Sequence, residues 1–158
     1  MKIVITGGAG FLGWRLARRL LDKGSLKDAS GQERKITELV LVDVAAPKAI
    51  DDPRLRILTG DIGDPSLLRQ AIDAGTSSIF HLAAVVSGQA EADFDLGMRI
   101  NLDASPQLLD MCRALGTRPR VVITSSLAVY GGKLPNVVQN TTALNPLSSF
   151  GVHKAIAE

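Results

Sequence analysis

The sequence has one cysteine, almost no charge imbalance and no long apolar run, and each scarcity excludes a class of protein. The lone Cys112 rules out an internal disulfide framework and suits a reducing compartment, so a cytoplasmic location is expected. A formal net charge of +2 is too even for a nucleic-acid or membrane-surface partner. No apolar run approaches the roughly 18–20 residues that cross a bilayer. No Cys/His/carboxylate cluster has metal-ligand spacing, so no metal is expected. What remains is 158 residues, 46% of them hydrophobic, enough for one domain with its own core.

Short β-branched runs alternate with amphipathic stretches, which predicts an α/β fold: a doubly wound parallel sheet with flanking helices. Strands are expected at 2–6, 38–43, 54–59, 78–82 and 120–125. Helices are expected over 10–23, where Leu12, Leu16, Leu20 and Leu21 recur at helical spacing, and from Asp64-Pro65 onward through Leu67, Leu68, Ala71 and Ile72. The stretch 92–115 reads as helical but contains Pro106, which predicts a kink, or a new helix capped by Ser105. The polar stretch 24–37 reads as a surface loop, and 131–146 as a turn-rich segment after the fifth strand. A further helix begins at Ser148 and runs to the end of the chain. Sheets of this type continue for more βα units, so the expectation is a chain that stops short of a C-terminal substrate lobe.

Gly7, Gly10 and Gly13 form a G-x-x-G-x-x-G pattern that leaves the first strand and opens the first helix. Gly7 allows the tight exit, Gly10 leaves room for a pyrophosphate, and Gly13 lets the helix pack on the sheet. The diphosphate would face the free N–H groups and positive dipole end of that helix. A glycine-rich turn without a ligand is the plainer alternative; the strand-turn-helix context at the N-terminus favours the dinucleotide. Asp43 ends the second strand, where a carboxylate would accept hydrogen bonds from the adenosine ribose and repel a 2′-phosphate, so NAD is expected rather than NADP. A plain turn aspartate is the alternative there. Asp61 and Ile62 would flank the adenine, and the small residues of His81-Leu82-Ala83-Ala84 would let the cofactor lie against the backbone. His81 itself reads as a satisfied core histidine.

These motifs, with Asn101, TSSLAVYG at 124–131 and SSFGVHK at 148–154, occur in an order that resembles the extended short-chain dehydrogenase/reductase superfamily, its NAD-dependent epimerase/dehydratase group. The likeness covers essentially the whole chain and implies one NAD(P)-binding Rossmann-type domain over 1–158. The stretches 24–44 and 81–103 are most similar to members that oxidise a hydroxyl of a small sugar acid with NAD. The resemblance implies that Phe11 and Leu12 of the glycine motif, Leu82, Ala83, Ala84, Asn101 and Lys154 join Gly7, Gly10, Gly13, Asp43, Asp61 and Ile62 in holding NAD. It implies that Ser126 hydrogen-bonds the reacting oxygen, that Asn101 helps hold an active-site water network, and that Lys154 bridges the nicotinamide ribose and tunes a phenol one helical turn earlier. A small sugar-acid substrate and a homodimer of the full-length protein are the partners it allows.

One departure matters for chemistry. The residue four before Lys154 is Phe150, where the family carries its proton-accepting tyrosine. A positioned base contributes about 10²–10⁴-fold, so turnover by this chain is in doubt. His153 falls on another sector of the helix and Tyr130 lies at a strand end, so neither is expected to replace the phenol. A second departure, Ala104-Ser105-Pro106 after the helix asparagine, bears on how Asn101 is placed. Two alternatives stand beside the sugar-acid dehydrogenase: a sugar-nucleotide epimerase or dehydratase, and a catalytically silent NAD-binding remnant.

Overall fold

The computed structural model describes residues 1–116 and 118–158. The main sheet contains Lys2–Thr6 (β1), Glu38–Asp43 (β4), Leu55–Thr59 (β5), Thr76–His81 (β6) and Arg120–Ile123 (β7), all parallel, in the order β5-β4-β1-β6-β7. Every residue of β1 is buried and Leu39–Val42 of β4 are too, as expected for central parallel strands covered on both faces. The edge strands β5 and β7 are half-exposed.

The alternation along β1 divides the core. Ile3 and Ile5 pack with Ala17, Leu20 and Leu21 of the first helix, Phe11–Lys23 (α1). Val4 faces the other way, into a layer built from Leu67 and Leu68 of Pro65–Ala71 (α2) and Leu108 of Ala104–Ala114 (α5). The strand order reverses between β1 and β6, so the carboxyl ends of these strands form the switch point where open α/β sheets bind ligands. The expected strands and the first two helices are therefore present, with ends shifted by a residue or two.

The stretch 24–37 departs from expectation. It is a small antiparallel ribbon of Ser25–Lys27 (β2) and Glu33–Lys35 (β3), not a plain loop. Its turn is tied by one side chain: the Asp28 carboxylate accepts from Ser30 N–H and Oγ, Gln32 N–H and Arg34 Nε. These donors hold the Asp28 carboxyl far below its ordinary range. A three-residue strand of Glu-Arg-Lys carries no apolar alternation for a sequence reading to detect.

The Pro106 region also differs. Ser87–Ala92 (α3) and Phe94–Gly97 (α4) lead into a π-helical segment, Met98–Asp103, which runs on into α5 without a break. Asp103 and Ala104 both keep helical dihedrals. An α-helical turn would press the proline ring on the Leu102 carbonyl, and the wider turn ends just ahead of that contact. Ser105 is no cap; it is buried, with Oγ 3.1 Å from His81 Nε2. The last helix, Ser149–Ala157 (α6), is capped by Ser148, whose Oγ accepts from Gly151 N–H at 3.1 Å.

Candidate cofactor cleft and active site

A cleft of about 500 Å³ opens over the carboxyl ends of β1, β4 and β6. It is lined by Gly7, Gly10, Asp43, Asp61, Ile62, Leu82, Ala83 and Ala84 of the expected residues, and by Ala9, Val85, Gln89 and Ile100 besides.

Its floor is the glycine turn. Gly7 has φ +74°, and a Cβ there would stand 2.7 Å from Ala83 N and 2.9 Å from the Leu82 carbonyl carbon. Both the backbone conformation and the fit against the end of β6 therefore demand glycine. At Gly13 a Cβ would lie 2.1 Å from Gly7 O, so α1 can press on the turn only without a side chain. Gly10 is exposed, its Cβ direction meeting only Gly7 O at 3.2 Å. Gly10 provides no side-chain cap to α1, and the N–H groups of a helix's first turn have no intrahelical acceptors. Phe11 and Leu12 stand on that turn with exposed side chains outside the cleft lining, so what they offer a diphosphate is backbone N–H.

Asp43 closes the turn from the side. One carboxylate oxygen accepts from Ala9 N–H at 2.9 Å and the other from Ala45 N–H at 3.2 Å. Each oxygen keeps a further lone pair, and the residue lines the cleft. The Asp43–Ala9 bond, between residues 34 apart, was not foreseen; it fixes the carboxylate beside the phosphate turn.

Beneath the cleft runs a buried polar chain. Ala83 N–H donates to Thr6 Oγ1 at 3.2 Å, Thr6 Oγ1 lies 2.8 Å from His81 Nδ1, and His81 Nε2 meets Ser105 Oγ. Burial, with the charge of Lys154 adding to it, pushes the His81 pKa down to about 4, so the ring is neutral. A neutral imidazole supplies one donor and one acceptor, which this chain of hydroxyls satisfies. His81 is thus the satisfied core histidine expected.

Asn101 is buried with both ends of its amide engaged: Oδ1 accepts from Val85 N–H at 2.8 Å and Nδ2 donates to Val85 O at 2.9 Å. Its side chain fixes the backbone that follows Ala84 rather than reaching for Ser126 or Lys154.

The catalytic candidates Ser126, Phe150 and Lys154 are not among the residues that line this cleft, and Lys154 borders a separate, smaller pocket with Thr124 and Ser125. Ser126 precedes a 3₁₀ turn, Leu127–Val129, and its Oγ accepts from Ala128 N–H at 3.2 Å while its own O–H stays available to donate. Lys154 is buried, donates from Nζ to Thr124 O at 2.9 Å, and lies 5.9 Å from the Phe150 ring centre. Burial lowers its pKa. Phe150 packs against the core layer shared by α2 and α5. Its N–H and the Ser149 hydroxyl both donate to Glu91 of α3, whose carboxyl is held low by these bonds. Gly151 lets α6 touch the 3₁₀ turn, since a Cβ would meet Ala128 O at 2.2 Å. His153 is buried, with Nε2 3.1 Å from Met98 Sδ, on a different side of the helix from Lys154's bond to Thr124.

The cleft's shape and donors fit a dinucleotide: an open helix N-terminus at its centre, carboxylates at Asp43 and Asp61, and small residues at 83 and 84. Comparison with known proteins agrees with that chemistry. Over the whole chain it is 65% identical to D-erythronate dehydrogenase of Cupriavidus necator, covering 48% of that protein. A solved nucleoside-diphosphate-sugar epimerase from Agrobacterium tumefaciens superposes with a TM-score of 0.87 at 39% identity, over 99% of this chain and 46% of that one. MoeE5, solved with UDP-glucose and NAD, gives a TM-score of 0.76 at 30% identity over 99% of this chain and 46% of its own. The chain spans about half the length of the curated relatives it matches. Residues 3–158 match the NAD dependent epimerase/dehydratase family, and with the glycine turn, Asp43 and the switch-point cleft in place, the chain belongs to that family.

Proposed function

We propose that residues 1–158 are the NAD-binding portion of an oxidoreductase of the D-erythronate dehydrogenase type, acting on a hydroxyl of a small sugar acid. The observation that carries this reading is the glycine turn locked to Asp43, in a chain 65% identical throughout to a D-erythronate dehydrogenase. Gly7, Gly10 and Gly13 with the first-turn N–H groups of Phe11 and Leu12 would take the diphosphate. Asp43 would take the adenosine ribose, Asp61 and Ile62 the adenine, and Leu82, Ala83 and Ala84 the middle of the cofactor. Bound NAD supplies the hydride acceptor. Ser126 would hydrogen-bond the substrate oxygen, and Lys154, anchored on Thr124 O, would reach the nicotinamide ribose. Asn101 would serve by holding Val85 in place.

The proton has no comparable destination. Phe150 stands one turn before Lys154 and its ring cannot exchange a proton, which favours a second reading in which the site binds NAD but turns over poorly. A cytoplasmic location and a homodimer of the full-length protein belong to the same proposal; no described helix is long and apolar enough to cross a membrane.

The two readings separate in one experiment. The chain is fused to the part of the Cupriavidus necator enzyme that it does not match, and NAD reduction with D-erythronate is followed for Phe150 and for Phe150→Tyr. The tyrosine form should be faster by about 10²–10⁴-fold in kcat, the worth of a positioned base. Equal rates would show that another group takes the proton. Absent turnover in both, with NAD bound, would remove the sugar-acid assignment and leave the cofactor site standing.

A further inference from the structure

Three consecutive residues of the π-helical segment are tied to the cleft. Asn101 clamps Val85 on one wall, Ile100 is buried and lines the space, and Arg99 pairs through Nη1 with Asp61 Oδ2 on the opposite wall. The segment thus braces the cleft from both sides, and π turns recur at functional sites because they re-aim side chains that an α-helix would send elsewhere.

The Arg99 wall is built for position rather than stability. Its ion pair is well exposed, 46% at Arg99 and 37% at Asp61, a setting in which such pairs contribute little to folding. Yet it is fitted closely. Asp61 Oδ1 accepts from Gly63 N–H at 2.7 Å, so both carboxylate oxygens are anchored from outside the cleft. Gly63 lies under both partners: a Cβ would stand 2.9 Å from Arg99 Cγ and Nη1 and 3.1 Å from Asp61 Oδ1. A carboxylate has about four acceptor positions. With two of them held by Gly63 and Arg99, the remainder belong to a rigid acceptor on the cleft lining.

We propose that Arg99 is the positioning residue of the base subsite: it orients Asp61 to accept from the exocyclic amine of a 6-aminopurine and so to reject a 6-oxopurine. This rests on the dinucleotide reading above and deepens it. A 6-amino group donates to the carboxylate, whereas a 6-oxo group turns a second acceptor toward it, and the unsatisfied contact is what discriminates. Arg99 makes the discrimination sharp by denying Asp61 the rotation that would relieve it.

The test compares NAD with nicotinamide hypoxanthine dinucleotide, which replaces the 6-amino donor by a carbonyl oxygen and turns the neighbouring N1 from acceptor to donor, by calorimetric titration of the 158-residue chain. The unaltered chain should favour NAD by about tenfold or more, the worth of a hydrogen bond to a charged group. Arg99→Met should reduce the preference to about threefold or less, mainly by weakening NAD. Gly63→Ala, which leaves every charge in place but crowds both Arg99 and Asp61 Oδ1, should act in the same direction. A ratio unchanged in both variants, or equal losses for both dinucleotides, would overturn the inference, the second outcome marking Arg99 as a purely structural latch. NAD bound without preference by the unaltered chain would also overturn it and leave the cofactor site intact. Failure to bind either dinucleotide would remove the cofactor reading itself.

Discussion

Asp43→Asn separates the ribose contact from the Ala9 tie that holds the glycine turn. In the structure the carboxylate does two jobs, accepting from Ala9 and Ala45 N–H with one lone pair on each oxygen and leaving the others to the cleft. The amide oxygen of asparagine can still accept from Ala9, so the glycine turn keeps its tie; the amide NH₂ can accept neither from a ribose hydroxyl nor from Ala45 N–H, whose 3.2 Å bond is the weaker of the two. Loss of one charge-assisted hydrogen bond costs about 2 kcal/mol, or roughly 30-fold in the NAD dissociation constant. NADP should respond in the opposite sense, because the same substitution removes a negative charge facing its 2′-phosphate. The NAD:NADP preference should therefore fall by more than the loss in NAD affinity alone. Trp14, the only tryptophan, lies on α1 with Nε1 3.2 Å from Lys48 O, near the Asp43 loop, so its fluorescence can follow binding alongside calorimetry. Titrations belong at about 0.15 M salt, where screening beyond roughly 8 Å leaves the local charge dominant. Asp43→Ala, which also removes the Ala9 tie, should weaken both cofactors. Equal losses of NAD and NADP in Asp43→Asn would refute the ribose assignment.

Two further outcomes follow from packing and protonation. Gly13→Ala would place a Cβ 2.1 Å from a backbone carbonyl, so α1 must retreat; the urea midpoint should drop by an amount equivalent to about 3 kcal/mol, with an unchanged slope. His81, neutral in the fold down to about pH 4, takes up a proton in the unfolded chain below about 6.5, so stability should fall as pH drops through that window by about 3 kcal/mol. His81→Gln should flatten that part of the stability curve measured by denaturant titration, and an unaltered curve would show that the ring is protonated in the folded protein.

The parts legible in the sequence are those whose causes are local. Lys2–Thr6 and Glu38–Asp43 read as strands because buried parallel strands are continuous apolar runs, and the two core layers follow from the alternation of Ile3, Val4 and Ile5. The glycine turn is legible because two of its demands are local, the positive φ at Gly7 and the contact of Gly13 with Gly7 O. What escaped depends on distance or lacks periodicity. The β2–β3 ribbon is held by the Asp28 carboxylate rather than by an apolar face. α3 is short, polar and stabilised by Glu91 reaching the start of α6, 58 residues away. The partnership of Arg99 with Asp61 spans 38 residues and joins two elements whose proximity only the fold reveals. Its one signal in the sequence, an arginine two residues before Asn101, has meaning only once the π turn is seen.

The cofactor cleft and the catalytic candidates are made of different material. The phosphate end is backbone: positive φ at Gly7, missing Cβ atoms at Gly7 and Gly13, open N–H groups on α1. Any change there disturbs the contact between β1, β6 and α1, so binding and folding are joined. The catalytic candidates Phe150 and Lys154 are side chains mounted on a helix that is secured independently. Ser148 and Glu91 cap α6, Gly151 seats it on the 3₁₀ turn, and Thr124 O holds Lys154. Phe150 contributes its ring to the core layer and its N–H to Glu91, and both would be the same for tyrosine. Phenylalanine at 150 therefore costs the fold nothing that these contacts measure, while on the proposed reading it leaves the proton without an acceptor. On that reading proton transfer at position 150 is separable from structure by a single oxygen, and the glycine turn offers no such separation.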